Sequence, residues 1–144
     1  MENLKIKKLD ERANIPTYGT PLSAGADLYA VLDSKIEIKP NETVVIPTGL
    51  AMAIPENYVG LIYARSSLGT KKGLAPANKV GVIDADYRGE VKVVLFNQSK
   101  EVQTISPNER IAQIIITPFI QVNFEEVDEL DETERGQGGF GSTN

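Results

Sequence analysis

The chain contains no cysteine, no histidine and no tryptophan in its 144 residues. Without cysteine there can be no disulfide and no thiolate nucleophile. Without histidine there is no imidazole base, and Cys/His zinc sites are excluded as well. Any catalysis must rest on carboxylates, hydroxyls, lysine, arginine or a bound hard cation. No apolar run approaches the roughly 20 residues needed to cross a bilayer. The opening Met1-Glu2-Asn3-Leu4-Lys5 lacks the apolar core of a signal peptide. A cytoplasmic protein with no membrane partner is the expectation.

Charge is present but unevenly spread. The formal net charge is −5, yet Glu125, Glu126, Asp128, Glu129, Asp131, Glu132 and Glu134 form an acidic run without a base. Those seven acids exceed the whole net charge, so the remainder carries +2. A near-neutral body without a basic stripe argues against a nucleic-acid partner and against a Mg²⁺-dependent nuclease.

What remains is apolar in short pieces. Leu4–Lys7 and Lys35–Lys39 alternate as strands do, and Pro40-Asn41 turns the chain. Thr43–Ile46, Gly49–Ile54, Tyr58–Tyr63, Val80–Ile83, Glu90–Phe96, Ile111–Thr117 and Gln121–Val127 are further strand candidates. Pro, Gly and Asn punctuate them. The pattern predicts an all-β fold, a sandwich or barrel. One short helix is expected over Ser66–Lys72, capped by a serine and closed by basic residues. A single β domain over 1–127 is expected, followed over 128–144 by an acidic linker and a glycine-rich tail. That tail is either a frayed terminus or a lid.

Chemistry concentrates in Gly81-Val82-Ile83-Asp84-Ala85-Asp86-Tyr87-Arg88-Gly89-Glu90. Strand residues two apart share a face, so Asp84 and Asp86 could lie side by side. The arrangement suits a general base, a metal site or a plain solvated hairpin. Arg65-Ser66-Ser67, at the expected helix start, suits an anion such as phosphate, or is an ordinary cap beside a surface arginine. Gly136-Gln137-Gly138-Gly139-Phe140-Gly141-Ser142-Thr143 has P-loop glycine spacing. It lacks the lysine and any following helix, so a Walker A assignment fails. A flexible backbone rich in N–H donors remains, preceded by Arg135, with Phe140 able to stack on a flat ring. Ala24-Gly25-Ala26-Asp27-Leu28 and Arg110-Ile111-Ala112-Gln113-Ile114 each set polar groups in small or apolar surroundings.

Taken in order, these five stretches resemble the five motifs of the homotrimeric deoxyuridine triphosphatase (dUTPase) family. The second runs Ala64-Arg65-Ser66-Ser67-Leu68-Gly69, and the resemblance spans nearly the whole chain. It implies a jelly-roll-like β fold, hydrolysis of dUTP to dUMP and pyrophosphate with Mg²⁺, and a homotrimer with sites at subunit interfaces. It further implies that Asp84 activates the attacking water and that Tyr87 lies under the deoxyribose, excluding a 2′-hydroxyl. Asn78, in a short strand segment Asn78-Lys79-Val80, would read the uracil edge. Arg65, Ser66 and Ser67 would bind the triphosphate, Gln113 the α-phosphate side, and Asp27 the Mg²⁺ through its waters. Arg135 would pair with the γ-phosphate and Phe140 would stack over uracil. Gly141, Ser142 and Thr143 would complete the closing tail. Asp86 is left as a solvated turn residue or a helper.

Some positions depart from the commoner family pattern. Ser67 replaces a frequent glycine, and Pro107-Asn108-Glu109 stands where a Gly-Asp pair often precedes the Arg-Ile-Ala-Gln run. None removes a functional group. A related dCTP deaminase would share the fold, but that branch uses a glutamate in the catalytic role and lacks this tail. A nucleotide-binding regulator is a further reading.

Overall fold

The computed structural model describes residues 3–141. Among these described residues, eleven strands occur in chain order: β1 (Lys5–Lys8), β2 (Thr17–Tyr18), β3 (Ala26–Tyr29), β4 (Ile36–Ile38), β5 (Thr43–Ala53), β6 (Tyr58–Tyr63), β7 (Leu74–Pro76), β8 (Gly81–Ile83), β9 (Glu90–Asn97), β10 (Gln103–Ile105) and β11 (Arg110–Pro118). They form a four-stranded sheet ordered β1-β5-β9-β7, a five-stranded sheet ordered β2-β3-β11-β6-β8, and the pair β10-β4. The result is an open, jelly-roll-like sandwich rather than a closed barrel.

Alternation builds the layers. Along β9, Val91, Val93, Leu95 and Asn97 turn inward while Lys92 faces water. They meet Leu28, Ile38, Ile46, Leu50 and Ile111, all fully buried. Each such aliphatic side chain contributes roughly 1.5–3 kcal/mol of burial. Asn97 is the polar exception, and it is fully partnered. Its amide donates to the carbonyls of Ile38 and Glu101 at 2.8 Å each. Its oxygen accepts from the N–H and hydroxyl of Ser99 at 2.9 and 2.7 Å.

Two expectations drawn from the apolar runs change. Thr43–Ile46 and Gly49–Ile54 are one strand, because Pro47 sits inside β5 where the register with β9 jumps between Pro47 and Ala51. A bulge tolerates a residue without an N–H. Gly49 adopts φ 66° there, and a Cβ on it would lie 2.9 Å from that of Ala13. Thr48 fills the bulge by donating to the Val91 carbonyl at 2.6 Å. Gln121–Val127, in contrast, is not a strand. Its alternation is present, but among the described residues it has no partner edge, leaving Ile120 and Phe124 about as open as free side chains, at 88% and 96% exposure.

β11 is the axis of the five-stranded sheet, and its register assembles distant residues. Gln113 stands opposite Asp27 of β3 on one side and Tyr63 of β6 on the other. Residues opposite one another in a sheet share a face. Arg65 and Ser66 follow β6 directly, so they fall at the end of the same row.

Candidate active site

A cleft of about 380 Å³ opens where this row meets the short helix, and Asp27, Arg65, Ser66, Arg110 and Gln113 line it. Asp27 is buried, at 8% exposure, so its carboxylate requires partners. Arg65 Nε donates to Oδ1 at 2.7 Å and Arg110 Nη1 to Oδ2 at 3.2 Å. One carboxylate against two guanidiniums leaves the cleft positive, which suits an anion. Arg65 Nη1 also reaches the Ser67 hydroxyl at 3.3 Å, so Ser67 steadies the arginine. The Ser66 side chain is exposed at the cleft wall.

Gln113 is fixed by two neighbours. Its Nε2 donates to the Ala64 carbonyl at 2.9 Å. Its carboxamide lies so close over Gly25 that a Cβ on that glycine would overlap it. The glycine of Ala24-Gly25-Ala26-Asp27 is therefore a matter of space.

The helix differs from the expected one. Residues Ser66 and Ser67 make a single α turn, and Leu68–Lys72 continue as a π-helix closed by Gly73 at φ 63°. No side-chain cap bond forms at Ser67. Instead Thr70 Oγ1 donates to the Ser66 carbonyl at 2.7 Å. So short an element carries little dipole. The attraction for an anion falls on Arg65 and Arg110.

Arg110 lines the cleft as well, although its motif gives no sign that it binds there. In a regular strand, residues 110 and 113 face opposite ways. The register of β11 with β3 shifts between Arg110 and Ala112, and Ile111 and Ala112 are both buried. That irregularity turns Arg110 toward Asp27. Two consecutive apolar residues after the arginine were the readable signal.

Asp84 and Tyr87 lie elsewhere. They line a separate hollow of about 230 Å³ with Val82, Ile83, Glu90 and Lys92. The turn is closed by Tyr87 N–H donating to the Asp84 carbonyl at 3.2 Å. The Tyr87 hydroxyl donates to the Glu90 carbonyl at 3.0 Å. Its ring lies across Gly89, where any Cβ would collide with it. Arg88 Nη1 ties the turn to the Ala85 and Tyr87 carbonyls at 2.6 and 3.0 Å. Asp84 lines the hollow and Asp86 does not, so of the two carboxylates only Asp84 stands at this site.

Asn78 is in neither cavity lining. The segment Asn78-Lys79-Val80 is a turn rather than a strand, with Lys79 at φ 65° and Lys79 N–H donating to Pro76 O at 3.0 Å. The register of β7 runs out at Pro76, which forces the chain to turn before β8. The Asn78 amide nitrogen nevertheless hangs over Gly81, 3.5 Å from where a Cβ would stand. In the tail, Arg135 Nε donates to Gly138 O at 2.8 Å, and Phe140 is fully exposed. Gly141 sits at φ 90°, a conformation that suits glycine. Ser142 and Thr143 lie outside the described residues.

No group of three or more Asp or Glu that could cage a metal occurs among the described residues. Asp27 is the lone carboxylate lining the cleft, and both its oxygens are engaged by arginine. That donor set fits a Mg²⁺ that keeps its waters and takes phosphate oxygens directly. It does not fit a resident all-protein site.

Known proteins converge on one family. The dUTPase family model matches residues 11–144. A deoxyuridine 5'-triphosphate nucleotidohydrolase of Syntrophotalea carbinolica is 44% identical, over 97% of this chain and 95% of that protein. One from Neisseria meningitidis serogroup A is 47% identical, over the same shares. The dUTPase of Staphylococcus bacteriophage 80alpha, solved with dUpNHpp, superposes with a TM-score of 0.86 at 29% identity, covering 100% of this chain and 99% of that one. With matches of this length and identity added to an all-β sandwich and five ordered motifs, this chain belongs to the dUTPase family.

Proposed function

We propose that this protein hydrolyses dUTP to dUMP and pyrophosphate, keeping uracil out of DNA and supplying dUMP for thymidylate synthesis. What carries the reading is family membership over nearly the full chain, with a preformed positive cleft at the motifs that would take phosphates. Arg65 and Ser66 hold the triphosphate, with Ser67 orienting Arg65. Gln113 contacts the α-phosphate side. Asp84 orients a water and takes its proton as the oxygen attacks the α-phosphorus. The new P–O bond forms in line with the breaking bond to the β-phosphate oxygen, and pyrophosphate leaves. Tyr87 lies under the deoxyribose and leaves no room for a 2′-hydroxyl. Asn78 and nearby backbone groups read the uracil edge, so cytosine would leave polar groups unpaired. Mg²⁺, when bound, would neutralise phosphate charge, and Asp27 would hold it through its waters. Arg135 pairs with the γ-phosphate while Phe140 stacks over uracil. Gly141, Ser142 and Thr143 complete the lid formed by residues 128–144 on the 1–127 domain.

We further propose a homotrimer whose sites combine chains. Within one chain, the phosphate cleft and the Asp84–Tyr87 hollow are separate cavities, and the arm from Ile120 to Phe124 exposes alternate apolar groups. Placing one chain's cleft against a neighbour's hollow joins the two walls and covers apolar surface. The phage relative solved with dUpNHpp supports a dUTP-like ligand, and a phage phi11 dUTPase mutant, 26% identical with a TM-score of 0.78, has a structural Mg(II) ion. The substrate belongs to the cytoplasmic nucleotide pool.

The test is incubation with each dNTP and UTP, with Mg²⁺ or with EDTA, following pyrophosphate and the nucleotide product. Selective, Mg²⁺-dependent release of pyrophosphate from dUTP is expected. Ammonia from dCTP, or equal turnover of UTP and dUTP, overturns the reading.

A further inference from the structure

Behind the cleft, the short helix is joined to the turn that launches β11. Lys72 is its last residue, and its ammonium donates to Glu109 Oε1 at 2.5 Å and to the Thr104 carbonyl at 2.8 Å. The second carboxylate oxygen of Glu109 accepts the Ser106 N–H at 2.9 Å. The Glu109 carbonyl accepts the Ala30 N–H, also at 2.9 Å. Both side chains are about three-quarters buried, at 31% and 24% exposure. Every oxygen of Glu109 is engaged, so the group is a fixed point on the body of the domain.

The two ends of this pair lead to opposite walls of the anion cleft. Lys72 closes the helical stretch that begins at Ser66, next to Arg65. Glu109 immediately precedes Arg110, whose guanidinium reaches Asp27. The helix has little means of holding itself in place. Its π stretch is five residues long, contains Gly69, and ends at Gly73. Such short helical pieces are marginal alone, so tertiary anchors set their position. Leu68 is the buried apolar anchor at one end, and Lys72 is the charged anchor at the other.

We propose that Lys72 and Glu109 are a positioning pair that sets the width of the phosphate cleft, holding Arg65 and Ser66 at the right distance from Arg110. The proposal rests on the reading of this cleft as the triphosphate site. Neither residue touches the nucleotide. Their effect falls on the contacts that bind phosphates in the ground state and transition state alike, so it belongs in KM rather than in kcat.

The experiment compares Lys72→Met, Glu109→Gln, the double variant and the conservative Lys72→Arg in the assembled protein. Glu109→Gln keeps an oxygen for Ser106 and guards against loss of fold. Loss of a largely buried pair of this kind is expected to raise KM for dUTP about fivefold with kcat held within about twofold. Affinity for dUMP, which lacks the outer phosphates, should not move. Lys72→Arg should restore KM, and the double variant should be no worse than either single one. Unchanged KM in folded Lys72→Met and Glu109→Gln overturns the proposal. So does a parallel loss of dUTP and dUMP affinity, which would mean general loosening. If the parent turns over no dUTP, the functional reading fails instead. The pair is then judged on Mg²⁺–pyrophosphate affinity, which must fall in both single variants.

Discussion

The positive cleft and the Asp84–Tyr87 turn are built in opposite ways. In the cleft, Asp27, Arg65 and Gln113 come from β3, from the end of β6 and from β11, and each is held by a bond to another element. The turn is bonded to itself, through Tyr87 to Asp84 and Glu90 and through Arg88 to Ala85, and the Asp84 and Tyr87 side chains are exposed. The cleft is organised before any ligand arrives. The turn offers one wall and leaves the opposite wall to something else. Preorganised positive charge favours binding, while an accessible carboxylate can still meet water and a phosphorus atom.

Replacing the proposed base on the open wall should have the largest effect. Asp84→Asn is expected to lower kcat about a thousandfold with KM little changed. Steady-state pyrophosphate release checks it, and a rate within tenfold of the parent would remove Asp84 from the mechanism. Next is deletion of Arg135–Asn144. Among the described residues, hydrogen bonds from this tail stay within the segment around Thr133–Gly138. Thermal stability should therefore be unchanged while kcat/KM falls about a hundredfold. Unaltered kinetics would return the tail to the frayed terminus that its composition permits.

Two glycines then probe the two walls by the same device. Gly25→Ala forces the Gln113 carboxamide out of its seat and off the Ala64 carbonyl. About a tenfold loss in kcat/KM is expected, with about 1–3 kcal/mol of overpacking read by denaturant unfolding. Gly89→Ala pushes the Tyr87 ring off its turn, a change that should erode selectivity for deoxyribose. The ratio of dUTP to UTP turnover is expected to drop about tenfold while dUTP turnover changes less. If the ratio held, something other than the tilt of Tyr87 would exclude the 2′-hydroxyl. Asp86→Asn should be the mildest, within about twofold in kcat, since Asp86 is exposed and lines neither cavity.

Much of this was readable beforehand because it is local. Alternation located β9 and β11, and the Pro and Gly punctuation marked most turns. The short strands β2, β3, β7 and β10, of two to four residues, show no readable period in the sequence. Their existence depends on the longer neighbours they pair with. Gln121–Val127 is the opposite case, where the alternation of Val122 and Phe124 has no edge to join within the described part of one chain. Periodicity reports which face of a segment is apolar, and pairing is a property of what lies beside it. Arg110 was hidden for a related reason, since a register shift turned it to a face that regular alternation denies it.

By itself, the sequence determined the chemical vocabulary: no imidazole and no thiol, a handful of carboxylates and arginines, and five ordered motifs that name a family. Residue types and short spacings are one-dimensional facts, and they survive any folding. Only the tertiary structure decided which of these groups meet. It set Asp27 opposite Gln113 through the register of β3 and β11, and it placed two arginines on one buried carboxylate. It also held Asp84 and Tyr87 away from that cleft. Hydrogen-bond register and the need to partner a buried charge fixed those neighbours.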